Sequence, residues 1–173
     1  GLIESKGTNE LAAAAEPLLK KYPDLRLVCI GDGPCHARMA RLGRESDSRG
    51  EGILPLLFRQ AEAKMASGRK GGTPSPREDA VILPGNVAPE EVPFYLQASD
   101  FLVLPSYSEG LPQAVVEAMN CGLAVVATRV GGVPEAVIDG RTGLLVQPRN
   151  VEQLRDAMER MIEDEAFRVA AGR

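Results

Sequence analysis

Five short apolar runs, separated by stretches of helical periodicity, leave this chain very few folds. The runs are Leu25-Arg-Leu-Val-Cys-Ile30, Ala80-Val-Ile-Leu-Pro84, Phe101-Leu-Val-Leu-Pro105, residues 123–128 and residues 143–147. A strand that is apolar without alternation is buried on both faces. Strands of that kind alternating with helices predict an α/β domain with a doubly wound parallel sheet. Ligands of such a sheet bind beyond the carboxyl ends of its strands. The loops at 31–34, 84–87, 105–112 and 128–135 are therefore the places to look for chemistry.

The helices read as follows. Thr8 is placed to cap a helix reaching Lys21, with Leu11, Ala15, Leu18 and Leu19 on one face; Pro17 inside it predicts a bend or a break. Residues 89–97 form the next. A third covers 111–121, with Pro112 near its start, where a missing N–H costs nothing. Asn150 caps a last long helix and Gln153 completes a capping box. Leu154, Met158, Met161 and Ile162 form its buried stripe.

The whole chain, residues 1–173, reads as one domain with an insertion at 44–80. The insertion is expected to be a surface excursion built on an amphipathic helix that covers Leu57, Ala61 and Met65, followed by a mobile Gly/Pro-rich tail. Its apolar patch makes peripheral membrane or partner contact a further expectation.

Composition excludes several functions. A net charge of −4, 4% aromatic residues and no Trp argue against gripping a nucleic-acid backbone. No apolar run approaches the ~20 residues that span a bilayer, and no signal-peptide pattern opens the chain, so a cytoplasmic protein is expected. Three cysteines (Cys29, Cys35 and Cys121) make a disulfide framework improbable. Cys35 beside His36, the one histidine, is a poor metal site, so none is expected. Ser106 and Ser108 lack the nucleophile elbow, and no hydrolase triad is visible.

The chemistry concentrates in Ser106-Tyr-Ser-Glu109-Gly110-Leu111-Pro112-Gln-Ala-Val-Val-Glu117. Glu109 precedes a helix that starts at the ligand edge of the sheet, and Glu117 lies on its second turn. Gln113, Glu117 and Asn120 share one face, opposite Leu111, Val115, Ala118 and Met119. One carboxylate is placed to accept from sugar hydroxyls and the other from a ribose. The helix N-terminus suits a diphosphate, and with Pro112 lacking a donor the candidate amides are those of Gly110, Leu111 and Gln113. Gly31-Asp32-Gly33-Pro34 lacks the third glycine of a dinucleotide fingerprint and reads as a tight turn bordering a nucleotide cleft. Gly131-Gly132 permits close approach of another backbone.

In order, Pro105-Ser-x-x-Glu109-Gly110, a helix with Glu117, Gly122, Val125-Val-Ala-Thr128 and Gly131-Gly132-x-Pro-Glu135 make the chain resemble a family: the donor-binding domain of retaining glycosyltransferases of family 4, of GT-B fold. The resemblance is sharpest over residues 81–148 and leaves 44–80 outside it. It implies that Glu109 contacts the donor sugar, Glu117 the ribose, and Lys6 of Lys6-Gly7 the diphosphate, with Glu109 and Lys6 the catalytic candidates. Gly85, Asn86 and Val87 would lie near the base, and Gly31 and Gly33 at the cleft. The family's usual Glu-Gly-Phe-Gly stands here as Glu109-Gly110-Leu111-Pro112, and its usual Arg position falls at Gly1. The resemblance implies an NDP-sugar as substrate, no cofactor, and an N-terminal acceptor domain as partner. It predicts hexosyl transfer by the full-length enzyme and an inactive isolated chain, whose closing helix would follow Arg173. The competing expectations are a non-catalytic nucleotide or interaction domain and a fragment of a GT-B-like nucleotide-sugar epimerase.

Overall fold

The described residues of the computed structural model are 6–31, 39, 54–59 and 80–173, and from Val81 to Glu163 strand and helix alternate as the apolar runs predict. In chain order they form α1 (Thr8–Lys21), β1 (Leu25–Ile30), β2 (Leu54–Arg59), β3 (Val81–Gly85), α2 (Val92–Ala98), β4 (Phe101–Leu104), α3 (Gln113–Asn120), β5 (Ala124–Thr128), α4 (Val133–Ala136), β6 (Gly143–Val146), α5 (Val151–Glu163) and α6 (Glu165–Ala171). The six strands make one sheet in the order β3-β1-β2-β4-β5-β6. β3 runs parallel to β1, and β4, β5 and β6 run parallel to one another.

β2 is the exception. It lies antiparallel between β1 and β4, with Leu57 opposite Leu27 on one side and Phe101 on the other. This corrects the expectation of an amphipathic helix through Leu57; Ala61 and Met65 lie outside the described residues. A short apolar run carries no period that separates strand from helix. Between β1 and β4 a strand satisfies backbone donors and acceptors on two edges at once.

The strands bury both faces, and neighbouring residues divide between two cores. Leu27, Cys29, Phe101, Val103, Ala124 and Val126 pack under α1, α5 and α6, with Leu11, Leu18, Leu154, Met158 and Ile162. Val28, Ile30, Leu102, Leu104, Val125 and Ala127 face the other way, onto Leu96, Val115, Ala118, Val133 and Val137 from the side of α2, α3 and α4. Cys29 sits fully in the first core, and burial pushes its thiol pKa up, which keeps it protonated.

Several local expectations change. Thr8 does not cap α1: Gly7 occupies that position with φ 64°, and Thr8 is buried. α1 runs unbroken through Pro17, which is exposed, while Leu11, Ala14, Ala15 and Leu18 are buried. That burial outweighs the lost hydrogen bond, which costs about 3 kcal/mol. Leu111 lies before α3 rather than on its buried stripe and is 62% exposed. The stripe of α5 is as predicted, with Leu154, Met158, Met161 and Ile162 buried.

Asn150 caps α5 as expected: Gln153 N donates to its Oδ1 at 2.9 Å. The Gln153 side chain does not return the bond; its Oε1 accepts from Gln147 N at 2.9 Å, tying the helix to the end of β6. Asn150→Ala is expected to lower stability by about 1 kcal/mol, read from urea unfolding. An unchanged midpoint would show that the cap contributes nothing.

Candidate functional site

The parallel strands end together at one edge, and the candidate residues gather there. Lys6 opens the described chain and Gly7 follows with positive φ. A Cβ at Gly7 would lie 1.9 Å from the Pro105 carbonyl oxygen, just past β4. Only glycine allows this approach, and it sets Lys6 beside the loop after β4. There Lys6 Nζ donates to Glu109 Oε1 at 2.7 Å. The pair is unevenly exposed, 39% for the Lys6 side chain and 13% for that of Glu109. A lysine and a glutamate 103 residues apart are thus one constellation.

Three devices hold the Glu109 loop. Thr128, at the end of β5, donates its buried hydroxyl to the Ser106 carbonyl. Gly132 N donates to Gly110 O at 3.0 Å. Gly131, with φ 51°, lies so close that a Cβ there would fall 1.6 Å from the Glu109 carbonyl oxygen. The Gly131-Gly132 pair is therefore a backbone seat for Glu109 and Gly110. Ser106 Oγ is buried in the same place and has no hydrogen-bond partner among the described residues. Gly110 itself faces open space: a Cβ there would meet nothing within 4 Å.

α3 starts at Gln113 behind Pro112, so its first amides have no carbonyl of their own helix to meet. Glu117 lies on the second turn, exposed, on the face it shares with the exposed Gln113 and Asn120. Among the described residues no hydrogen bond or ion pair engages its carboxylate.

The glycine turns lie on the other half of the same edge. Gly31 N donates to Gly85 O at 2.8 Å, which joins the ends of β1 and β3. Both glycines have positive φ, 109° and 73°. Asn86 is exposed, while Val87 packs into the second core, which leaves its backbone as the part free to meet a ligand. Gly33 lies outside the described residues. β2 separates this half from the Glu109 half by two strand spacings, roughly 10 Å.

The sequence profile of the glycosyl transferases group 1 family matches residues 1–164. The chain belongs to this family. The group 1 transferase chain is 36% identical over 169 residues to the D-inositol 3-phosphate glycosyltransferase of Pseudarthrobacter chlorophenolicus, covering 97% of this chain and 34% of that protein. It thus spans about a third of the length of the curated relatives it matches. In structure it resembles the C-terminal domain of a glycosyl transferase group 1 family protein, LpcC, from Francisella tularensis. That match has a TM-score of 0.70 and 29% identity, over 98% of this chain and 75% of that one. It also resembles HepE of Anabaena, solved in complex with UDP-glucose, with a TM-score of 0.52 and 31% identity over 56% of this chain and 26% of that one. The group 1 chain is thus a GT-B C-terminal domain.

Two residues of this transferase domain at the site were not singled out from sequence. Tyr107 stands two residues before Glu109, and the Arg149 guanidinium lies 4.8 Å from the centroid of its ring. No motif signals them, since their meeting depends on β4 and β6 ending at the same edge. Among the described residues no helix is long and apolar enough to cross a membrane.

Proposed function

We propose that this domain binds the nucleotide-sugar donor of a retaining hexosyltransferase. Glu117 accepts both ribose hydroxyls, Glu109 accepts from sugar hydroxyls, and Lys6 with the amides of Gly110, Leu111 and Gln113 meets the diphosphate. The backbone around Gly31, Gly85, Asn86 and Val87 borders the base. As the C1–oxygen bond breaks, the diphosphate leaves with the bonding pair, and Lys6 and the helix amides stabilise the charge that develops. The acceptor hydroxyl forms the new bond to C1 and gives its proton to the departing diphosphate oxygen. No residue of this chain is assigned as a covalent nucleophile. The acceptor comes to a second domain, so this chain alone binds nucleotide weakly and transfers nothing.

The observation that carries this reading is the Lys6–Glu109 pair at 2.7 Å, in front of a helix whose Glu117 is exposed and unengaged. The UDP-glucose complex of the related HepE makes UDP the first probe. Titration by calorimetry with UDP, GDP and ADP is expected to give binding to one of them, weakened about tenfold by Glu117→Ala, the lower end for hydrogen bonds to a charged group. Thermal stability of the variant should stay unchanged, since Glu117 is exposed and its carboxylate makes no hydrogen bond or ion pair among the described residues. Equal binding by the variant would remove Glu117 from the ribose site and sink the reading.

A further inference from the structure

Arg149 is the single non-glycine residue with positive φ among the described residues, at 62°. Left-handed backbone is unfavourable for a residue with a Cβ and persists where its surroundings impose it. The turn after β6 imposes it here. Asn150 N donates to Gln147 O at 3.3 Å, Gln147 N to Gln153 Oε1 at 2.9 Å, and Gln153 N to Asn150 Oδ1 at 2.9 Å. A glycine would adopt this backbone freely. What an arginine adds is its side chain, and that lies against Tyr107 at 4.8 Å from the ring centroid, within cation–π range. β5 lies between β4, which leads into Tyr107, and β6, which leads to Arg149. The contact therefore bridges the end of β5 and reaches the Glu109 loop at Tyr107, two residues before Glu109.

We propose that Arg149 is a positioning residue. By stacking on Tyr107 it fixes the loop that aims Glu109 at the donor sugar, and so it favours nucleotide-sugar over free nucleotide. This rests on the reading of Glu109 given above, and it separates from a plain structural role by its ligand selectivity.

The test compares wild type with Arg149→Gly, Arg149→Lys, Tyr107→Phe and Tyr107→Leu. Calorimetry gives the affinity for UDP-glucose and for UDP, and hydrogen exchange follows the amides of Ser108, Glu109 and Gly110 in the unliganded protein. Arg149→Gly is expected to keep its melting temperature, because relief of the backbone offsets the lost contact. It should bind UDP as wild type does and UDP-glucose roughly threefold more weakly, with loop exchange about threefold faster, the size of an exposed cation–π contact. Tyr107→Leu should behave alike, while Arg149→Lys and Tyr107→Phe stay near wild type. Equal weakening of both ligands would overturn the proposal, because it would make Arg149 a diphosphate contact or a general stabiliser. Unchanged loop exchange would overturn it as well. If wild type binds neither ligand, a uridine donor is excluded, the GDP and ADP titrations given above decide the donor reading by themselves, and the exchange rates still decide whether Arg149 holds the loop. If Arg149→Gly does not fold, the two Tyr107 variants give the same answer.

Discussion

Gly131→Ala is expected to lower the unfolding free energy by roughly 2–3 kcal/mol and, on the donor reading proposed above, to abolish any preference for UDP-glucose over UDP. Two costs combine. The backbone at Gly131 has φ 51°, which a residue with a Cβ resists, and the new methyl would sit 1.6 Å from the Glu109 carbonyl oxygen. That oxygen belongs to backbone rather than to a flexible side-chain tip, so one of the two loops must move. Glu109 is then carried away from Lys6, and the bond from Gly132 N to Gly110 O is strained with it. Urea unfolding and paired calorimetric titrations measure both effects. Gly110→Ala is the control: its Cβ meets nothing within 4 Å, so its stability should stay within about 0.5 kcal/mol of wild type. Similar losses at the two glycines would mean that the close packing of the loops does not decide the shape of the site.

The two ends of the Lys6–Glu109 pair are expected to respond with opposite signs. On the proposed donor reading, Lys6→Met removes a cation from the diphosphate and should weaken UDP binding roughly tenfold to hundredfold. Glu109→Gln releases Lys6 from its partner at 2.7 Å and should tighten UDP about two- to fivefold, the modest size of a pair with a partly exposed lysine. The same variant should lose affinity for UDP-glucose, since an amide accepts less strongly from sugar hydroxyls. Measured together, the three affinities separate a diphosphate role from a sugar role. If Glu109→Gln weakened UDP, the carboxylate would be serving the nucleotide and its assignment to the sugar would fall.

The buried strands and the long helices were legible because their signals are local. Phe101 to Leu104 and the stripe through Leu154, Met158 and Ile162 state burial and period within a few residues. The polar face of Gln113, Glu117 and Asn120 was legible for the same reason. β2 was not. An apolar run buried in a sheet reads the same in either direction, and its direction follows from where the connecting segments begin and end. Thr8 resembled a cap by residue type, but close approach to Pro105 demanded a glycine at that position and turned Thr8 into the core. In the site, the glycine pair and the two glutamates could be read from their order along the chain. The contacts of Lys6 with Glu109 and of Arg149 with Tyr107 could not, because each joins segments that only the assembled sheet brings together.

The reversed direction of β2 has a practical consequence for anyone who alters this domain. Leu54 pairs with Ile30 and Arg59 with Leu25. The connection from β1 to β2 therefore leaves and returns at the carboxyl edge, beside Lys6 and Glu109. The connection from β2 to β3 starts at Arg59 and ends near Val81, which is level with Leu27, so both its anchors lie at the opposite edge. A tag, label or reporter spliced between Arg59 and Ala80 is tethered at anchors on the edge away from Glu109. The same cargo between Gly31 and Leu54 is tethered at anchors on the edge where the donor is proposed to bind.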